Sequence, residues 1–106
     1  ALRVKLRAME EVTEQRRENA ERYRRLFAEA QLLEWAKLPT DTDRHAYHQF
    51  VVRVPADRRD AAITHLRQQG IGCAVYYPVP FHRQPCFAYL QADQNAFPVA
   101  DQAARE

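Results

Sequence analysis

The first thirty residues contain neither glycine nor proline, and that absence constrains the chain more than any other feature. The two residues that most often interrupt a helix are missing, and Leu2, Leu6, Met9 and Val12, then Tyr23, Leu26 and Phe27, recur at helical spacing. The pattern predicts one long helix from Ala1 to about Ala30. Glu18 with Arg22 and Glu21 with Arg25 stand in the acid-before-base i,i+4 order, each pair stabilising an exposed face by roughly 0.2–0.5 kcal/mol. No Ser, Thr, Asp or Asn precedes Leu2. The pattern therefore starts without an N-cap, and the expectation is a chain cut from something longer.

Downstream the periodicity changes. Gln31 to Leu38 reads as a short strand or an irregular connector running into Pro39 and the polar loop Thr40 to Arg44. Tyr47 to Val54 is dense in β-branched and aromatic residues. There Phe50, Val52 and Val54 alternate with Gln49, Val51 and Arg53, which predicts a strand stopped by Pro55. Pro55-Ala56-Asp57 opens a helix with Ala62, Ile63 and Leu66 as its apolar stripe, Gly70 as a left-handed C-terminal cap and Ile71 packing back. A second strand is expected over Gly72 to Tyr77, ended by Pro78. Pro78-Val79-Pro80 must be extended and stiff, since both prolines fix φ and keep their predecessors out of the helical region. After a polar stretch from Gln91 to Asn95, Pro98 suits the first turn of a last helix through Val99, Ala100 and Ala103, still in progress at Glu106. The expected fold is α+β: a long N-terminal helix over residues 1–30, then a small domain over 31–106 with an antiparallel sheet and flanking helices, truncated at both ends.

Bulk properties narrow the function. At 106 residues only one modest core is available, and 46% hydrophobic with 28% charged residues is the composition of a folded domain rather than a disordered tail. Sixteen basic against 14 acidic residues leave a net charge of +2, too weak a field to argue for nucleic acid or an anionic membrane. The arginines 16, 17, 22, 24 and 25 resemble a basic footprint. However, residues 1–29 hold eight Lys or Arg against six Glu, a balance unlike a nucleic-acid footprint. A solvated or domain-packing face is the better reading. Nothing approaches the length of a membrane span or a secretory signal, so a cytoplasmic location is expected. Cys73 and Cys86 read as free thiols, one a small apolar filler and one on a loop. His45 and His48, three apart, lack further ligands at zinc spacing, so no metal is expected.

From His48-Gln49-Phe50-Val51-Val52-Arg53-Val54 onward the chain resembles the C-terminal domain of the DegT/DnrJ-type sugar aminotransferases. Gly70-Ile71-Gly72-Cys73-Ala74-Val75-Tyr76-Tyr77-Pro78-Val79-Pro80-Phe81-His82 is similar to that family's glycine-bounded strand, Tyr-Pro pair and Pro-hydrophobic-His ending. Gln84-Pro85, Phe87 and Phe97-Pro98-Val99-Ala100 follow in the family's order. The resemblance extends over essentially all 106 residues. It implies a fold-type I, pyridoxal-phosphate-dependent homodimer that transfers an amino group, usually from glutamate, to a keto sugar carried on a nucleoside diphosphate. The cofactor lysine of that family lies in its large domain. The only lysines here, Lys5 and Lys37, lie in nothing like its motif. The chain alone is therefore expected to bind no cofactor and to be inactive, with no catalytic residue of its own.

What the small domain would supply is a wall of the substrate site, and Tyr76, Tyr77 and His82 are the candidate substrate-binding residues. Where the family frequently has His before Tyr-Pro, this chain has Tyr76, a departure that bears on sugar specificity because phenol and imidazole exchange protons differently at neutral pH. The competing reading makes one tyrosine a core aromatic and His82 a solvated loop residue. A competing function is a stand-alone, dimeric interaction or ligand-sensing module. The Leu2, Leu6 and Met9 stripe reads as a docking seam, through which an isolated chain is expected to self-associate.

Overall fold

Helix dominates the N-terminal third as its composition dictates. In a computed structural model, which describes residues 2–91, 93 and 95–106, α1 (Leu2–Arg7) and α2 (Met9–Glu29) are separated by Ala8 at φ −100°, ψ 2°. Ala1, Ala92 and Gln94 lie outside the described residues, and so do the parts of the first helix and of the Gln91–Asn95 stretch that fall on them. The Ala8 break is slight, since the Val12 amide still donates to the Ala8 carbonyl at 3.0 Å. α2 ends where Gln31 turns left-handed at φ 55°, and the connector is a 3₁₀ turn, Leu32–Glu34. The chain divides into two units, Ala1–Val52 and Arg53–Glu106.

In the first unit, the segment after Pro39 lies along α2. Ala20 is buried, and so small a side chain on the helix admits the close approach of the loop. Tyr23 stacks on Phe50 with centroids 5.1 Å apart, and Tyr47 lies 6.2 Å from Phe50 and 4.2 Å from the His45 ring. Polar contacts bind the same segment down. Arg24 Nη2 donates to the Pro39 carbonyl at 2.6 Å and to Tyr47 Oη at 3.1 Å, and Tyr47 Oη donates to Asp41 Oδ1 at 2.5 Å. Arg17 Nε donates to the His45 carbonyl at 3.2 Å, and the Tyr47 amide to His45 Nδ1 at 2.9 Å. Two of the arginines read from sequence as face charges are therefore anchors for the loop. Arg25 pairs with Glu29, at 3.8 Å, rather than with Glu21.

In the second unit, α3 (Ala56–Gln68) ends as its glycine foretells. Gly70 sits at φ 73°, its amide donating to the Arg67 carbonyl at 3.0 Å and the Ile71 amide to the Leu66 carbonyl at 2.9 Å, the paired bonds of a Schellman cap. Two 3₁₀ turns follow, Phe81–Arg83 and Pro85–Leu90, then α4 (Pro98–Arg105) with Pro98 at its first position. Arg59 Nη1 reaches the Ala104 carbonyl at 2.8 Å, and Arg53 pairs with Glu106, so both arginines hold α4.

The expected sheet is overturned: among the described residues no strand forms, and the α+β reading with an antiparallel sheet is corrected to a helical fold with extended and 3₁₀ connectors. Alternation over 47–54 and 72–77 records which side chains favour a pleated, half-buried surface, but a strand exists only when a partner ladder takes up its amides and carbonyls. The backbone also leaves β space at each segment's end, at Tyr47 (φ 43°) and Tyr77 (φ 55°). Among the described residues no helix is long and apolar enough to cross a membrane.

Candidate functional site

The tyrosine pair sits where α3's cap releases the chain into its proline-stiffened connector. Tyr77 holds a left-handed backbone and is 81% exposed, and Tyr76 is 49% exposed. Their rings lie 6.2 Å apart with planes at 59°. Strand alternation would have turned one of them inward, but without a strand neither is buried. The Pro78-Val79-Pro80 segment, expected to be extended, instead bends at Pro78 and Val79, after a first bend at Tyr76 and the positive φ of Tyr77, and only Pro80 is shown in an extended conformation, at φ −58°, ψ 151°.

His82 is placed differently, because the turn that carries it closes onto α4. The Arg83 amide donates to the Pro80 carbonyl at 3.0 Å, and Phe81 stacks on Phe87 at 4.3 Å. These contacts turn the imidazole inward, against Phe97 at 5.0 Å, until its side chain is only 7% exposed. Its Nε2 lies 3.3 Å from Asp101 Oδ1, within ion-pair reach but off the axis of a hydrogen bond, and is sealed from solvent without a hydrogen-bond partner.

Asp101 was not legible as a site residue. Read by polarity, α4 should bury Val99, yet Val99 is 78% exposed and Asp101 only 8%. The reason is Arg83, whose fork grips the carboxylate with Nε to Oδ1 at 2.5 Å and Nη2 to Oδ2 at 2.7 Å, so the charge enters the interior already paired. That hydrogen bonding holds the Asp101 carboxyl below the usual carboxylate range against the opposing effect of burial, aided by the charges of Arg83, His82 and Arg105. The same contact pushes Arg83 above its already high value. The only sequence hint was a charge in the first turn of an otherwise apolar helix start, and its partner is 18 residues away.

A pH dependence follows from the sign of that shift. A carboxyl depressed in the folded state contributes stability above the unfolded carboxylate value and loses it as pH falls through the folded one. Thermal unfolding of the chain is expected to show Tm falling between about pH 5 and pH 3, and falling less steeply in Asp101→Asn, which has no carboxylate to protonate. Parallel slopes in the two proteins would remove the Arg83–Asp101 pair from the account.

The family model for the DegT/DnrJ/EryC1/StrS aminotransferases matches residues 1–106. The chain belongs to this aminotransferase family. It is 40% identical to a pleiotropic regulatory protein of Geobacillus stearothermophilus, over 99% of the chain and 28% of that relative. It is 35% identical to the dTDP-3-amino-3,6-dideoxy-alpha-D-galactopyranose transaminase of Aneurinibacillus thermoaerophilus, over 99% of the chain and 27% of the relative. Over 57% of the chain and 15% of the relative, it is 47% identical to the UDP-N-acetyl-3-dehydro-alpha-D-glucosamine 3-aminotransferase of Acidithiobacillus ferrooxidans. This aminotransferase-family chain thus spans little more than a quarter of the length of the first two relatives.

The chain has two lysines. Lys5 on α1 and Lys37 in the connector are both exposed. A Cβ at Gly70 or Gly72 would meet nothing within 4 Å, and the positive φ of Gly70 serves the helix cap.

Proposed function

We propose that residues 1–106 are the C-terminal part of a pyridoxal-phosphate-dependent aminotransferase acting on a keto sugar carried by a nucleoside diphosphate, with glutamate as amino donor. In this reading residues 1–30 lead into a small domain over 31–106 that forms one wall of the substrate site, and the rest of the protein holds the cofactor. The whole protein is a cytoplasmic homo-oligomer. The observation that carries the reading is the family match over the entire chain, together with transaminase relatives that share 35% and 47% of its aligned residues. Both of those relatives carry carbon 3 chemistry in their names, and we assign the ketone to carbon 3.

The chain's own share is recognition. The exposed phenols of Tyr76 and Tyr77 can donate to a diphosphate oxygen or exchange hydrogen bonds with a sugar hydroxyl. The Pro78-Val79-Pro80 segment fixes their distance from the turn of His82. An exposed apolar face supports a further body of the protein: Leu2, Leu6 and Met9 are 76%, 62% and 45% exposed.

The test mixes the full-length protein with pyridoxal phosphate, glutamate and matched 3-keto and 4-keto nucleotide sugars. The expected outcome is the cofactor's protein-bound absorbance band and an amino sugar from the 3-keto substrate, with neither from the 106-residue chain. A full-length protein that binds no cofactor would end the aminotransferase reading, and amination of the 4-keto sugar alone would end the carbon 3 assignment.

A further inference from the structure

We infer that Asp101, clamped by Arg83, is a positioning residue that sets the tautomer of His82, so that the imidazole offers a bare Nδ1 as an acceptor for a sugar hydroxyl. This rests on the proposed substrate-facing role of His82. The argument begins at the sealed nitrogen. Nε2 lies 3.3 Å from Asp101 Oδ1 with no hydrogen-bond partner and no solvent. An ionised carboxylate is acceptor-only. A bare Nε2 would therefore stand 3.3 Å from a second acceptor where no water can intervene, whereas a proton on Nε2, even off the axis of a hydrogen bond, puts positive charge beside the carboxylate.

The carboxylate cannot turn away to relieve the conflict. Both of its oxygens are held by the Arg83 fork, at 2.5 and 2.7 Å, and the Asp101 carbonyl accepts from Arg105 Nε at 3.2 Å. Nor is the ring free to turn over, since Phe97 packs against it at 5.0 Å and the side chain is 7% exposed. With the proton on Nε2, neutral imidazole keeps a lone pair on Nδ1, and that nitrogen makes no hydrogen bond within the described residues. A lone pair accepts from a hydroxyl but not from a diphosphate oxygen, which has no proton to give. In the proposed substrate, then, His82 reads the sugar while the phenols of Tyr76 and Tyr77 remain able to meet the diphosphate. The arrangement follows the general rule that a histidine's tautomer is set by what its other nitrogen faces.

The test uses full-length protein labelled with ¹⁵N-histidine, in which long-range proton–nitrogen correlations report the tautomer. The His82 signals are assigned by their loss in His82→Asn. Wild type and Asp101→Glu are expected to show Nε2–H with bare Nδ1, and Asp101→Asn to shift toward Nδ1–H. In the same proteins, Asp101→Asn should raise KM for the keto-sugar nucleotide about tenfold with a smaller change in kcat, the cost of one ordinary hydrogen bond, and Asp101→Glu should restore it. Nδ1–H in the wild type, or an unchanged tautomer in Asp101→Asn, overturns the inference whatever the activity. The expected tautomers in a protein that aminates no keto sugar would sustain the positioning role and overturn the substrate reading instead.

Discussion

Tyr47→Ala is expected to unfold the first unit at room temperature. Tyr47 is 8% exposed, and among the described residues of that unit its only buried apolar companions are Ala20 and Ala36, so its ring is most of the core they form. Deleting a buried aromatic side chain costs about 3–5 kcal/mol. A unit of some fifty residues has roughly 2.5–7.5 kcal/mol in total. The backbone worsens the balance. At φ 43° Tyr47 sits in the left-handed region, a conformation that the ring and hydroxyl contacts must hold, and alanine would keep the strain while losing the contacts. Urea titration followed by the fluorescence of Trp35, the only tryptophan, should show no folded baseline for Tyr47→Ala. Tyr47→Phe keeps the ring and loses only the bonds to Arg24 and Asp41, so it should stay folded and lose about 1–2 kcal/mol. If the two variants unfold alike, the hydroxyl rather than the ring is the anchor.

The same residue shows where sequence reading stops. α2, α3 and α4 were legible because each depends on local rules: a long run without glycine or proline, a proline at a helix start, a glycine in the left-handed cap. The supposed strands were not, because alternation is a property of one segment and pairing a property of two. Tyr47 and Tyr77 were read as strand positions, yet both have positive φ without being glycine. Nothing local marks such a residue, since its conformation is imposed by what it touches. Arg24 and Arg83 make the related point about charge. Both look like solvated arginines, and both are committed, one to Pro39 and Tyr47 and the other to Asp101. Of the three candidate site residues, the tyrosines stand on the surface where recognition can use them, and His82 is turned inward by contacts that span 15 to 19 residues of sequence.

Tyr77→Gly should separate recognition from stability. The left-handed backbone at Tyr77 costs about 1–2 kcal/mol for a residue with a Cβ. The ring recovers little of this, being 81% exposed with its one ring contact to Tyr76 at 6.2 Å. Glycine removes the penalty but adds freedom to the unfolded chain, so the net expectation is a chain more stable by about 0.5–1 kcal/mol. Strain retained where packing does not require it is characteristic of residues held for a task. If Tyr77 contacts the substrate, the full-length Tyr77→Gly protein should therefore lose roughly 10- to 100-fold in kcat/KM, from the missing phenol and from a loosened Pro78-Val79-Pro80 segment. Tyr77→Phe, which leaves backbone and ring in place, should lose only the hydroxyl's share, about tenfold. A Tyr77→Gly protein that is both more stable and fully active would make the strain incidental and move recognition to Tyr76 and His82. One that is less stable would show that Tyr77 is packed by the rest of the full-length protein, and its exposure here would then mark an interface rather than a substrate contact.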